Sequence, residues 1–257
     1  MSAAPRSVRL MLAITAVLLI GSMASAGDFL EDQLRYPRVR AAKQETDSVL
    51  RASCTARSLH YPPREIFLRA FKREALLEVW ARDDVAGPFV LLTDYPICER
   101  SGVPGPKRRE GDRQVPEGFY HINIFNPVSD YHLSLGINYP NASDAILSDR
   151  KKPGGDIMIH GDCVTIGCIP IRDACIREVY WLAVQVHAAG MERIPVHVFP
   201  CRMDKEGMEY LAAEQGDDTA LMPFWNMLQP GFEYFQRTKE LPAITVDGDG
   251  SYVVRGR

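Results

Sequence analysis

Three observations predict a β-rich α+β fold for this chain. Short stretches between residues 65 and 160 alternate apolar with polar residues, or run apolar between Gly, Pro and Asp, as strands do. The 3.6-residue period of a long amphipathic helix emerges only from Asp173 onward. Helices do not alternate with strands along the sequence, which argues against a doubly wound parallel sheet.

At the N-terminus, Arg6 and Arg9 precede a largely apolar run, 10–20, and then Ala24-Ser25-Ala26. That order reads as an export signal cleaved after Ala26. The run of 11 residues is short beside the roughly 20 that a spanning helix needs. An uncleaved anchor is the alternative, and this segment is the chain's one expected contact with a membrane. Residues 31–57 are charged and weakly helical in pattern, consistent with one or two helices against the body.

Strands are expected in "EIFLRAFK" (65–72), where Ile66, Leu68 and Ala70 alternate with Phe67, Arg69 and Phe71, and in "ALLEVWAR" (75–82) and "PFVLLTDYPI" (88–97). Together they suggest a meander. Residues 98–118 are rich in Gly and Pro, which predicts a long exposed loop, a type that is usually functional. "FYHINIF" (119–125), "YHLSLGINY" (131–139) and "DIMIH" (156–160) return to strand, with a second Pro/Gly-rich loop before the last. From Asp173, taken as N-cap, Ile176, Val179, Tyr180, Ala183, Val184 and His187 recur on one helical face up to a stop at Gly190. "IPVHVFPC" (194–201) is a further strand, residues 204–237 read as two helices, and the tail from Pro242 is short and Gly-rich. The expected organisation is a signal peptide over 1–26, a helical segment over 27–64, a catalytic domain over 65–203 and a helical C-terminal extension over 204–257.

The composition is 46% apolar, enough for a sizeable core, and the formal charge is −3, or −5 once the two signal arginines are removed. A nucleic-acid partner needs a basic face to neutralise phosphates. The densest basic runs, Lys107-Arg108-Arg109 and Arg150-Lys151-Lys152, sit among Gly and Pro and read as solvated loops, so no nucleic-acid partner is expected.

The chemistry concentrates in "IMIHGDCVTIGC" (157–168). His160 ends a strand, and Gly161 and Gly167 bound a loop that returns to Cys168. The imidazole and the thiol can thus approach each other, with backbone N–H groups near Gly167 as candidate oxyanion donors. Two other readings stand beside this one. His160 could be an ordinary hydrogen-bonded core residue and Cys168 a small hydrophobe. Alternatively, His160, Cys163, Cys168 and Cys175 could supply four zinc ligands, although zinc ligands usually come in pairs two to four residues apart and Cys175 lies in the predicted helix. With six cysteines and one kept reduced for chemistry, at least two free thiols are expected, and Cys163 is the nearest partner for an inactivating disulfide with Cys168.

"HGDCVTIGC" resembles the signature of the YkuD-type L,D-transpeptidases, cysteine enzymes of bacterial peptidoglycan, and within them the YafK-like branch. The resemblance extends, in order, through "FLRAFKREALLEVW", "YPICERSGVPGPKRREGD", "VPEGFY", "SDYHLSLGINYPNASD" and "IPVHVFPCRM", from about residue 66 to 203. It implies a YkuD-like β-sandwich catalytic domain with one long helix and a helical C-terminal appendage. It also implies Cys168 as the acylated nucleophile and His160 as its proton acceptor and donor, with Gly167, Thr165 and Gly161 supporting the oxyanion. Tyr131 and His132 match the branch at the cleft, and Arg172 could meet a substrate carboxylate; His121, His187 and His197 read as structural. Ile166 stands where the wider family usually has histidine before Gly-Cys, and Pro170 where arginine usually follows. The expected enzyme is exported to the periplasm of a Gram-negative bacterium and needs no cofactor or metal. It acts on peptidoglycan stem peptides, transferring to an amine or hydrolysing, which could release a wall-attached lipoprotein. A non-catalytic, zinc-stabilised wall-binding module is the rival from another class.

Overall fold

The computed structural model describes residues 26–214 and 217–256. The expected signal segment lies outside them. Among the described residues no helix is long and apolar enough to cross a membrane.

Two helices open the described chain, α1 (Ala26–Leu34) and α2 (Pro37–Thr55), the second with proline in its first turn, where a missing N–H costs nothing. The expected meander follows as β1 (Glu65–Phe71), β2 (Leu76–Arg82) and β3 (Val90–Pro96), antiparallel throughout. β4 (Gly118–Asn126), β5 (Ser134–Ile137), α3 (Ala142–Leu147), β6 (Met158–His160) and β7 (Ile169–Pro170) lead to the long helix α4 (Asp173–Ala188) and to β8 (Pro195–Phe199). After α5 (Lys205–Glu214) and α6 (Leu221–Thr238), the tail forms a hairpin, β9 (Ala243–Val246) and β10 (Tyr252–Arg255).

Eight strands join in the order β3-β2-β1-β8-β4-β5-β6-β7. β4 serves both halves of this sheet: Gly118 to His121 pair with β8, and Ile122 to Asn126 pair with β5 across a register shift. The β1–β8 and β6–β7 pairings are parallel and the others antiparallel, so the fold is β-rich α+β.

Alternation along β1 explains the layers on either side. Ile66, Leu68 and Ala70 join the main core with α2 and α4 residues such as Leu50 and Tyr180, whereas Phe67 and Phe71 pack towards Phe232 and Phe235 of α6. Arg69 shares that second face and is buried with its partners. Its guanidinium donates twice to Glu78 Oε2, at 2.9 and 2.8 Å; Trp80 Nε1 donates to the same oxygen at 2.8 Å, and Arg202 to Glu78 Oε1 at 2.7 Å.

Three expectations are corrected here. The second Pro/Gly-rich loop contains α3, started by a capping box in which Asn141 and Asp144 bond each other's backbone N–H. The loop over 98–118 is irregular but not simply exposed. Lys72 Nζ donates to the carbonyls of Val103, Gly105 and Val115 and to Glu117 Oε1 at 2.8 Å, while Trp225 Nε1 of α6 holds Glu117 Oε2 at 2.8 Å. Within the same loop Lys107, read as solvated, is buried against Asp112 at 2.7 Å, because that carboxylate also collects the N–H groups of Arg108, Arg109 and Gln114.

Candidate active site at the β6–β7 edge

β6 and β7 run parallel, with Ile159 opposite Ile169 and His160 opposite Pro170. Cys168, one residue before the paired stretch, stands alongside Met158, whose N–H donates to its sulfur at 3.4 Å. His160 therefore lies two positions along the neighbouring strand from Cys168, about 6–7 Å of strand. The thiol in turn points to the Asp156 carbonyl at 3.6 Å, and among the described residues no hydrogen bond joins it to His160. The His160 Nδ1 faces the Gly161 carbonyl, which can only accept. The proton of the neutral ring therefore sits on Nδ1, and Nε2 is left as a base.

Backbone strain gathers around this pair. Of the eight non-glycine residues with positive φ among the described residues, five (Arg113, His132, Asp156, Asp162 and Arg172) flank it, a concentration expected where geometry is imposed for function. Gly161 has to be glycine, since a Cβ there would lie 2.5 Å from Asp173 Oδ1 and 2.9 Å from the Tyr131 carbonyl. Gly167 takes φ +143°, which only glycine adopts readily. Thr165 Oγ1 accepts the N–H groups of Gly167 at 3.1 Å and Cys168 at 2.8 Å and donates to the Cys168 carbonyl at 2.9 Å. The expected oxyanion donors are thus already engaged, and an incoming oxyanion has to displace Thr165 or find other donors.

Cys168 opens into a cleft of about 170 Å³, floored by Ala70, Ile169 and Val198 and walled by residues 99–104. The cysteine readings resolve as follows. Cys163 is disulfide-bonded to Cys98, with Cα atoms 5.6 Å apart, so the anticipated Cys163–Cys168 pairing is replaced by a link from the site loop to the cleft wall. That link also takes Cys163 out of the four-residue zinc set. Cys54, Cys168, Cys175 and Cys201 are free, which meets the expected minimum of two.

His160 is buried and does not line the cleft; its ring packs under Tyr131, centroids 4.7 Å apart. Tyr131 and His132 gather on this imidazole side. His132 Nδ1 is 3.9 Å from Asp173 Oδ2, and its Nε2 is 3.5 Å from the Arg177 guanidinium. Arg172 is exposed at the start of α4 and lines no part of the cleft, while Asp173, expected as N-cap, is instead the first helical residue and holds the Asp162 N–H at 2.8 Å. His197 is structural, ringed by Phe67, Phe119 and Phe199, and burial followed by Arg69 depresses its pKa to about 3. Sequence reasoning singled out none of the cleft-wall side chains, Arg100 and Ser101 among them. The length of the 98–118 loop marked the region without singling out either residue.

Burial pushes the Cys168 thiol above its ordinary pKa, and Asp156 adds to this, against the Met158 N–H and the Lys107 charge. Burial likewise lowers the imidazole of His160, in spite of the Gly161 carbonyl and Asp162. Both groups are therefore neutral at pH 7, and His160 must act as a base when the thiol attacks rather than form a standing ion pair. Iodoacetamide labelling of Cys168 should accelerate with pH and still be climbing above about pH 9, beyond the ordinary thiol range. A fast plateau already reached near pH 6, the mark of a thiolate–imidazolium pair, would contradict this.

No family model matches the chain. The Escherichia coli K12 protein named "Putative L,D-transpeptidase YafK" is 34% identical over 191 residues, covering 74% of this chain and 73% of that protein, and the O157:H7 protein of the same name matches equally. Among solved structures, the helical cell shape determining protein Pgp2 of Campylobacter jejuni is 19% identical at a TM-score of 0.42, covering 71% of this chain and 73% of its own. Bd1075 of Bdellovibrio bacteriovorus is 18% identical at 0.39, with coverages of 72% and 78%. L,D-transpeptidase 1 of Mycobacterium tuberculosis is 14% identical at 0.30, with coverages of 52% and 62%. With a third of its residues shared across nearly three quarters of both chains, this chain belongs to the L,D-transpeptidase family, in the YafK-like branch.

Proposed function

We propose that the chain is a peptidoglycan-active cysteine acyltransferase whose nucleophile is Cys168 and whose base is His160. One observation carries the reading: a free cysteine lining a cleft, two strand positions from a histidine whose Nδ1 is tethered and whose Nε2 is unprotonated. Nε2 takes the thiol proton as sulfur bonds to the amide carbonyl on the L-centre of a stem-peptide diamino acid. Collapse of the tetrahedral intermediate breaks the C–N bond, and the same proton passes to the departing amine, leaving a thioester. An amine acceptor then completes transfer, whereas water completes hydrolysis, including release of a protein attached through that diamino acid. Thr165, Gly167 and Gly161 shape the loop that meets the oxyanion, and Tyr131 and His132 shield the imidazole.

Residues 65–203 form the catalytic unit in this reading, with 204–257 bracing it. The Cys98–Cys163 disulfide favours an exported protein, since such bonds persist in oxidising compartments such as the periplasm. Incubation with purified peptidoglycan and mass analysis of the muropeptides tests the proposal. Stems shortened at the L-centre, or joined through it, are the expected products. An unchanged muropeptide profile rejects it.

A further inference from the structure

We propose that Arg38, on helix α2 and outside the 65–203 unit, is a positioning residue for His160, acting through the 129–132 turn that covers the imidazole. This rests on the cysteine acyltransferase reading and extends its machinery to the N-terminal helices.

Two contacts keep His160 in its working orientation, and one turn reaches both. The Tyr131 ring packs on the imidazole, centroids 4.7 Å apart, and is itself 44% exposed, so it stands between His160 and solvent. The Gly161 carbonyl accepts from Nδ1 and so leaves Nε2 as the base. Gly161 lies directly against the turn: a Cβ there would come within 2.9 Å of the Tyr131 carbonyl and 3.0 Å of His132 Cβ, and the Gly161 N–H donates to the Leu133 carbonyl at 3.3 Å. A shift of the turn therefore disturbs the cover of the ring and its tether together.

The turn does not hold its shape alone. His132 has φ +72°, a left-handed conformation that costs a side chain free energy and persists only where neighbours impose it. From within, Ser129 Oγ accepts the Tyr131 N–H at 3.1 Å. From outside, Arg38 Nη1 donates to the carbonyls of Ser129 and His132 at 2.5 and 2.7 Å, one on each side of Tyr131. Helix α2 is a firm base for this clamp, because Val39, Ala42 and Thr46 of its inner face are buried. Glu45, two helical turns after Arg38, approaches the same turn: its carboxylate pairs with Arg177 Nε at 2.9 Å, and Arg177 Nη1 reaches His132 Nε2 at 3.5 Å. Arg40 supplies the contrast. It makes the same kind of clamp, on the carbonyls of Leu34 and Arg35 at 2.9 and 2.7 Å, but those lie at the α1–α2 corner and not in the turn.

Two measurements on the full chain test this. Diethylpyrocarbonate modifies a neutral imidazole, so the rate of His160 labelling, mapped by mass, reads how well Tyr131 covers the ring without requiring turnover. His197, buried elsewhere, reports any general loosening. Arg38→Met, which keeps the stem and loses the donors, should speed His160 labelling about fivefold with His197 unchanged. A single nitrogen makes both bonds, so in Arg38→Lys the ammonium can replace it, and labelling should stay within about twofold of the parent, as it should in Arg40→Met. His160 labelling unchanged by Arg38→Met, sped up only in step with His197, or raised equally by Arg40→Met overturns the proposal. On muropeptides, Arg38→Met should lower kcat about tenfold with KM within about twofold, since it displaces the base and touches no substrate. An unchanged kcat, or a loss confined to KM, overturns it as well. If the labelling responds while the wild type turns over no muropeptide, the placement of His160 by Arg38 stands and the acyltransferase reading fails.

Discussion

Cys168→Ala should abolish muropeptide turnover and the covalent adduct with a carbapenem together, while leaving the melting temperature within a few degrees of the parent. The thiol is half-buried and lines an open cleft, so its loss opens little enclosed volume. His160→Ala should lose turnover but retain slow acylation by the strained lactam, whose ring opening asks less of a proton donor. Cys163→Ala should keep acylation but slow it, since it frees Cys98 and with it the cleft wall. Intact mass after carbapenem exposure and thermal melts with and without chelator read all three. Loss of stability common to the three variants and mimicked by chelator, with no adduct on the parent, would replace the enzyme reading with a metal-held loop.

Glu78→Ala should be the most destabilising single change outside the site, by about 3–5 kcal/mol. It strands the Arg69 guanidinium, 1% exposed, together with Trp80 Nε1, and leaves Arg202 without its carboxylate. Converting Arg69 and Glu78 together to Met and Leu should recover part of that loss, because it removes the stranded guanidinium, while Trp80 Nε1 and Arg202 still lack the carboxylate. Burial alone would raise the Glu78 carboxyl, but Arg69, Trp80 and Arg202 outweigh it and hold the pKa below its ordinary value. The ion pair's contribution is therefore complete above the unfolded carboxyl range and fades as pH falls through the lowered folded value. Urea titrations should show the gap between wild type and Glu78→Ala narrowing in acid; a constant gap from pH 7 to pH 3 would contradict the assignment.

Where period and punctuation agree, sequence and structure agree. The meander from Glu65 to Pro96, α4 and the strand ending in His160 follow their patterns because one face of each packs on a single core. What escaped was either too short for a period or stabilised from afar. β7 is two residues long and exists through its pairing with β6. The α3 capping box over Asn141 and Asp144 and the Asp-Gly-rich turn before β10 were legible signals passed over within Gly- and Pro-rich text. In the site, His160 and Cys168 stood out by residue type and spacing, whereas the wall over 99–104 is brought to the Cys168 cleft only by the fold. The pairing of Cys98 with Cys163 spans 65 residues and follows from how the loop over 98–118 crosses β7, which no local pattern records.

That long-range link sets an order of events in the life of the molecule. With Cys98 and Cys163 reduced, the chain carries every residue of the site, yet the cleft wall and the nucleophile loop are two segments joined by no covalent bond, only by contacts such as the Cys98 N–H to the Pro170 carbonyl. Oxidation makes them one covalent piece, with the wall over 99–104 held across the cleft that Cys168 lines. Assembly of the cleft is thus tied to the redox conditions around the chain as well as to whether it has folded, because the bond that joins its wall to the nucleophile loop persists only where disulfides last.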